Sequence, residues 1–216
     1  MHISGSARRW MRAALSAAAV VTLAFAAAPS RAHGAPKTPP RVLKMAVGVC
    51  GVCHGVTGNS INPMFPRLAG QHADYLEHEL KAFRAHTRAD PYAVAYMWGI
   101  AGGLSNASID ALAKYFAAQA AGPGLPHAAA WVARGNAIYH DGIPAQGVPA
   151  CAACHGPQGL GSAAFPRLAG QHAEYLLKQL QSFHSKMRKT PIMDGIASSL
   201  HRREMRAVAD YLASLP

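Results

Sequence analysis

The sequence predicts an all-α protein built from two tandem, homologous domains. Three observations lead there. Phe65-Pro66-Arg67-Leu68-Ala69-Gly70-Gln71-His72-Ala73 recurs as Phe165-Pro166-Arg167-Leu168-Ala169-Gly170-Gln171-His172-Ala173, 100 positions further on. Self-similarity on that scale marks two copies of one unit of about 90 residues. Apolar residues fall at helical spacing, with no alternating strand pattern to compete. A Gly/Pro run, Ala120-Ala121-Gly122-Pro123-Gly124-Leu125-Pro126, separates the copies, because such residues break helices.

In chain order, residues 1–32 read as a secretory signal. Arg8, Arg9 and Arg12 precede an uncharged run from Ala13 to Ser30, and Ser30-Arg31-Ala32 offers one candidate cleavage site and Ala26-Ala27-Ala28 another. The apolar core is short beside the roughly 20 residues that a membrane span requires. The expected organisation is then a first domain over 33–122, a linker over 123–127 and a second domain over 128–216. In the first domain, Ala73 to His86 carries Tyr75, Leu76, Leu80 and Phe83 as a helical stripe. Ser105 to Gln119 carries Ile109, Leu112 and Phe116, with Ser105 as N-cap. The second domain opens with a helix over Ala128 to Tyr139 and repeats the other two as His172 to Met187 and Arg202 to Leu215. Tyr75, Leu76 and Phe83 match their copies at an offset of 100, but Leu104 and Tyr115 match Leu200 and Tyr211 at 96. Four residues therefore separate the copies between Phe83 and Leu104, most simply in a loop around Asp90-Pro91.

All four cysteines lie in Cys50-Gly51-Val52-Cys53-His54 and Cys151-Ala152-Ala153-Cys154-His155. C-x-x-C-H is the pattern of covalent haem attachment. Two thiols on one helical turn form thioethers to the ring, and the following histidine binds iron from one face. Competing readings fit less well. A four-cysteine zinc ribbon spaces its pairs by about 15–20 residues. A thioredoxin-like pair wants a βαβ setting, and a C-x-x-C disulfide closes too small a loop to stabilise much. The cofactors expected are thus two covalent haem c groups, held by Cys50, Cys53, Cys151 and Cys154, with His54 and His155 on iron.

A second axial ligand decides between electron transfer and an open, reactive iron. Among the methionines after residue 32, Met97 and Met193 alone fall in register between the copies, each seven residues before the matched leucine. We expect both in a loop leading into the last helix. His72 and His172 also match, but they sit at a helix start close behind the motif, and helix-start or surface histidines are the simpler reading. A soft thioether favours Fe(II) and raises the potential relative to two histidines. The carbonyls of Pro66 and Pro166 are candidates to accept the other ring N–H of His54 and His155. Arg67 and Arg167 are candidates to pair with haem propionates, against the alternative of solvated cations.

The chain carries 21 basic and 10 acidic residues; removing residues 1–32 leaves 17 basic and a formal +7. No nucleic-acid partner is expected of an exported chain without a long basic run. The densest basic stretches, Lys186, Arg188, Lys189 and Arg202, Arg203, Arg206, read as a solvated face or as a docking patch for an acidic redox partner.

Taken together, C-x-x-C-H-G in both copies, F-P-x-L-A-G-Q in both copies, and the segment Met97 to Ser105 resemble the dihaem cytochrome c4 family over nearly all of the chain after residue 32. The resemblance implies two class I cytochrome c domains packed together, both irons bound by His and Met. It also implies a carrier of single electrons in the periplasm that is not an enzyme, with a quinol-oxidising complex or dehydrogenase as donor and a terminal oxidase as acceptor. Association with the membrane surface is a further implication. The alternative is the cytochrome subunit of a periplasmic dehydrogenase complex.

Overall fold

The computed structural model describes residues 39–162 and 165–216; the expected signal at 1–32 lies outside them. The first half begins with α1 (Pro40–Met45), entered through Pro40, whose missing N–H is no loss at a helix start. A π turn, Ala46–Cys50, carries it on into α2 (Gly51–His54). Gly55 ends α2 at φ 78°, and Gly156 repeats this at φ 76° after the second motif helix. A side chain is strained in that region, so each motif is followed by glycine.

A loop then leads to α3 (Ala73–Arg84). Beyond it, a helical stretch from Pro91 contains a π turn, Ala93–Met97, and continues as α4 (Trp98–Gly102). The first half closes with α5 (Asn106–Ala117), capped by Ser105 Oγ, which accepts the Ser108 N–H at 3.2 Å. The second half contains α6 (Ala129–Asp141), the motif helix α7 (Ala152–His155), α8 (Ala173–His184), α9 (Pro191–Ser198) and α10 (Arg202–Ser214). The last is capped in a different way from α5: Glu204 reaches back to accept the His201 N–H at 2.8 Å. Pairing between extended segments is confined, among the described residues, to two isolated bridges. The fold is all-α.

Each half builds its core from the same parts. Val42, Leu76, Leu112 and Phe116 bring α1, α3 and α5 together, while Ile138, Leu176, Val208 and Leu212 join α6, α8 and α10. α6 crosses α10 at Gly135, where an added Cβ would overlap the Ala207 carbonyl oxygen and meet the Tyr211 Cβ at 2.7 Å.

Three expectations are corrected here. Met97 and Met193 do not lie in loops: Met97 ends the π turn and Met193 lies in α9, whose start is fixed by Thr190 Oγ1 accepting the Met193 N–H at 3.1 Å. The four-residue step is likewise inside a helix, because Pro91 and Pro191 both open helices and still match at an offset of 100. Four residues exceed one α-helical turn of 3.6 by less than half a residue. The wider π turn takes up the excess within the helix, the usual form of such an insertion. The third correction concerns Arg188. It is buried between the halves, 6 % exposed, and no part of a solvated basic face.

Candidate functional site

One apolar cavity of about 720 Å³ is walled by both halves. Cys50, Cys53, His54 and Met97 line its first end; Cys151, Cys154, His155 and Met193 line its second. The eight residues singled out as thioether and iron ligands therefore converge on one space. α2 and α7 each place two thiols and a histidine on a single turn, and all four thiols are free.

The histidines are held alike. His54 Nδ1 lies 2.8 Å from the Pro66 carbonyl oxygen, and His155 Nδ1 lies 3.2 Å from that of Pro166. A carbonyl only accepts, so Nδ1 carries the proton and Nε2 keeps its lone pair. Burial lowers the pKa of both rings, partly offset by the carbonyl contact, which favours the neutral form that a metal requires. Phe65 and Phe165 stand edge-on to these rings at 6.1 and 5.9 Å between centroids. Burial also pushes the Cys50 thiol up, and that of Cys151 to about 11, so both stay protonated near neutrality. Among the described residues no three His, Cys, Asp or Glu side chains cluster as a site for a free ion. Paired thiols, an imidazole with a presented lone pair and apolar walls suit a covalently anchored porphyrin, and the four-cysteine zinc reading finds no support. Met45 and Met64 also line the cavity; Met205 is buried in the second core, and Met187 is exposed.

The repeated F-P-R-L-A-G-Q-H run serves the contact between halves. Gln171 Oε1 accepts the Arg67 N–H at 2.8 Å and its Nε2 donates to the Arg67 carbonyl at 2.9 Å; Gln71 makes the same pair with Arg167, at 2.8 and 2.9 Å. His172 Nε2 donates to the Ser60 carbonyl and His72 Nε2 to that of Leu160, both at 2.9 Å. His172 is 4 % exposed, so the surface reading fails for it. The guanidinium of Arg67 donates to the carbonyls of Pro123 and Gly170, and that of Arg167 to the carbonyl of Pro216. Both side chains line the cavity, yet these bonds hold them to the linker and the second half. The two halves thus meet about a pseudo-twofold axis, as the subunits of a symmetric dimer do.

At the middle of this contact lies a polar cluster that sequence reasoning missed. Glu79 Oε1 accepts from Arg188 Nη2 at 2.7 Å and Glu79 Oε2 from Arg88 Nη1 at 2.5 Å. Arg88 Nε donates to Asp90 at 2.7 Å, and Gln179 Oε1 accepts from both arginines at 2.8 Å. Burial alone would raise Glu79, but the two guanidiniums outweigh it and hold the carboxyl down at about 2. Arg88 matches Arg188 at the repeat offset; that match was available in the sequence.

The family model described as cytochrome c matches residues 41–119 and again 132–216. Cytochrome c-552 of Acidithiobacillus ferridurans is 45 % identical over 170 residues, covering 77 % of this chain and 73 % of that protein. Cytochrome c4 of Pseudomonas aeruginosa is 39 % identical over 173 residues, covering 77 % and 84 %. A protein of Stutzerimonas stutzeri named thiosulfate dehydrogenase electron acceptor is 37 % identical over 179 residues, covering 79 % and 80 %. The solved structure of Acidithiobacillus ferrooxidans cytochrome c4 superposes with a TM-score of 0.73 at 45 % identity, covering 77 % of this chain and 98 % of that one.

Proposed function

The chain belongs to the cytochrome c family, with two such domains and two haem c groups, and from that premise we propose that it shuttles single electrons in the periplasm. Its donor is a quinol-oxidising complex or a dehydrogenase, and its acceptor a terminal oxidase or similar complex. The observation that carries this reading is the pair of equivalent ligand sets at the two ends of one cavity.

When bound, a haem c iron supplies a one-electron ferric/ferrous couple. The residues of this chain determine how that couple behaves. Cys50, Cys53, Cys151 and Cys154 would anchor the rings, and His54 and His155 would ligate through Nε2, oriented by the carbonyls of Pro66 and Pro166. Met97 and Met193, which line the same cavity, would supply the thioether ligands. Apolar walls exclude water and favour the less charged, reduced state. With a histidine and a methionine on each iron, no position would remain for a substrate, in keeping with a carrier rather than an enzyme.

Potentiometric titration followed by visible spectroscopy tests this directly. Two one-electron steps and a far-red Met–Fe(III) band are expected; a single step, or high-spin ferric spectra, rejects the ligand assignment. A second reading, the electron-accepting partner of a periplasmic dehydrogenase, is favoured by the likeness to the Stutzerimonas protein. Gel filtration of native extract separates the two. Elution with a stoichiometric large partner supports the complex, and elution at monomer size supports the free carrier. No helix among the described residues is long and apolar enough to cross a membrane.

A further inference from the structure

The pseudo-twofold axis supplies an internal control, since each residue at the contact has a counterpart in the other half. At most of these positions the residue is retained: Gln71 and Gln171, Tyr75 and Tyr175, Phe83 and Phe183, Arg88 and Arg188. Within the buried polar cluster around the two arginines, two positions differ, and both differ in charge. Glu79 of the first half faces Gln179 in the second, and Asp90 faces Thr190.

The charged side chains among these are buried. Glu79 is 8 % exposed, Asp90 2 %, Arg88 7 % and Arg188 6 %. Each arginine lies over the phenylalanine of its own half, at 4.7 Å from the Phe83 ring and 4.6 Å from the Phe183 ring, and both rings line the cavity. The first half thus contributes one buried cation and two buried anions, the second one buried cation and none. Lys178 is another cation nearby, 2.7 Å from the Tyr92 hydroxyl; it is partly exposed and more screened by solvent than the two arginines, while Arg67 and Arg167 are present in both halves alike. Buried charges act on a redox centre with far less screening. Negative charge stabilises the ferric state and lowers a potential, and positive charge does the reverse; Arg88 holds both Glu79 and Asp90, whereas Arg188 has only Glu79, reached across the contact.

Resting on the reading of two His/Met haem centres, we propose that the lone carboxylate Glu79, with Asp90 behind Arg88, separates the two potentials and makes the second centre the stronger electron acceptor. An electron entering the first centre then runs downhill to the second through the same contact. Glu79 ligates nothing and touches no reacting atom; it sets potentials through its charge and its hold on both arginines.

The test is potentiometric titration of wild-type holoprotein against Glu79→Gln and Gln179→Glu, with the centres assigned by Met97→Ala and Met193→Ala, each of which removes the far-red band of one centre. Glu79→Gln is isosteric and makes the cluster symmetric. It should raise the first potential more than the second and move the sharing of one electron toward the first centre by about two- to threefold, the difference expected for one unit charge at roughly 10 Å from one centre and roughly 15 Å from the other in an effective dielectric near 20. Gln179→Glu should lower the second potential, and Asp90→Thr should act in the sense of Glu79→Gln. Structural damage would not produce shifts of opposite sign on opposite centres. Equal movement of both potentials in every variant, or a first centre of higher potential in wild type, overturns the inference while two His/Met centres still stand. A chain with fewer than two haems, or without the Met–Fe(III) band, fails the functional reading and this inference with it.

Discussion

Gly135→Ala tests the packing of the second half where it is tightest. In the middle of an exposed helix this change should stabilise by about 0.8–1.0 kcal/mol, because glycine has the greater backbone freedom to lose. Here α6 lies against α10 so closely that the new methyl group would overlap the Ala207 carbonyl oxygen and sit 2.6 Å from the Ala207 carbonyl carbon and 2.7 Å from the Tyr211 Cβ. Ordinary contact begins near 3.5 Å, so the helices must part by about 1 Å. Neither obstacle is the tip of a flexible side chain. Parting them loosens Ile138, Tyr139, Val208 and Leu212, which form the core of this half. Overpacking costs typically 1–3 kcal/mol; obstacles that are backbone and Cβ put this site at the upper end, and the propensity gain offsets about 1 kcal/mol, so a net loss of about 1–2 kcal/mol is expected. In a chain of this size that lowers the Tm by roughly 2–8 °C. Thermal unfolding followed by far-ultraviolet circular dichroism measures it. Gly195→Ala in α9 is the control, since an added Cβ there meets nothing within 4 Å; it should be neutral or stabilising. A Gly135→Ala protein as stable as wild type would refute the close crossing.

Further outcomes follow from the contact between halves and from the ligands. Gln171→Ala removes both bonds to the Arg67 backbone and should cost about 2–4 kcal/mol by orphaning buried groups, with faster proteolysis at 123–127; unchanged unfolding and cleavage would contradict the twofold contact. Met97→Ala and Met193→Ala should each abolish about half of the far-red band and lower one potential by replacing a thioether; an intact band rejects that ligand. Glu79 has its folded pKa depressed from 4.5 to about 2. Its contribution is therefore complete above the unfolded value and lost as pH falls from about 4.5 to 2. Denaturation measured across that window should show a shallower acid loss in Glu79→Gln than in wild type.

Much of this was legible in the sequence because it depends on local pattern. C-x-x-C-H places thiols and histidine on one turn whatever surrounds them, and the periodic apolar residues located the helices to within about three residues. Register between the copies singled out Met97 and Met193, although both proved to lie in helices, since a π turn leaves no turn-forming residue as its sign. What was not legible depends on how the halves meet. Nothing near Arg67 or Arg167 says that their guanidiniums reach carbonyls of the linker and of the chain end. Nothing near Arg188 in the basic stretch says that it turns inward to a carboxylate 109 residues away. The nine-residue identity of the two copies was itself a clue: a symmetric contact demands the same donors and acceptors from both sides.

The most direct measurement is the haem content of the purified mature polypeptide, from its intact mass together with the spectrum of the pyridine-treated pigment. Two covalently bound haem c groups per chain are expected. A colourless chain, or one holding a single haem after full maturation, would contradict the account at its root.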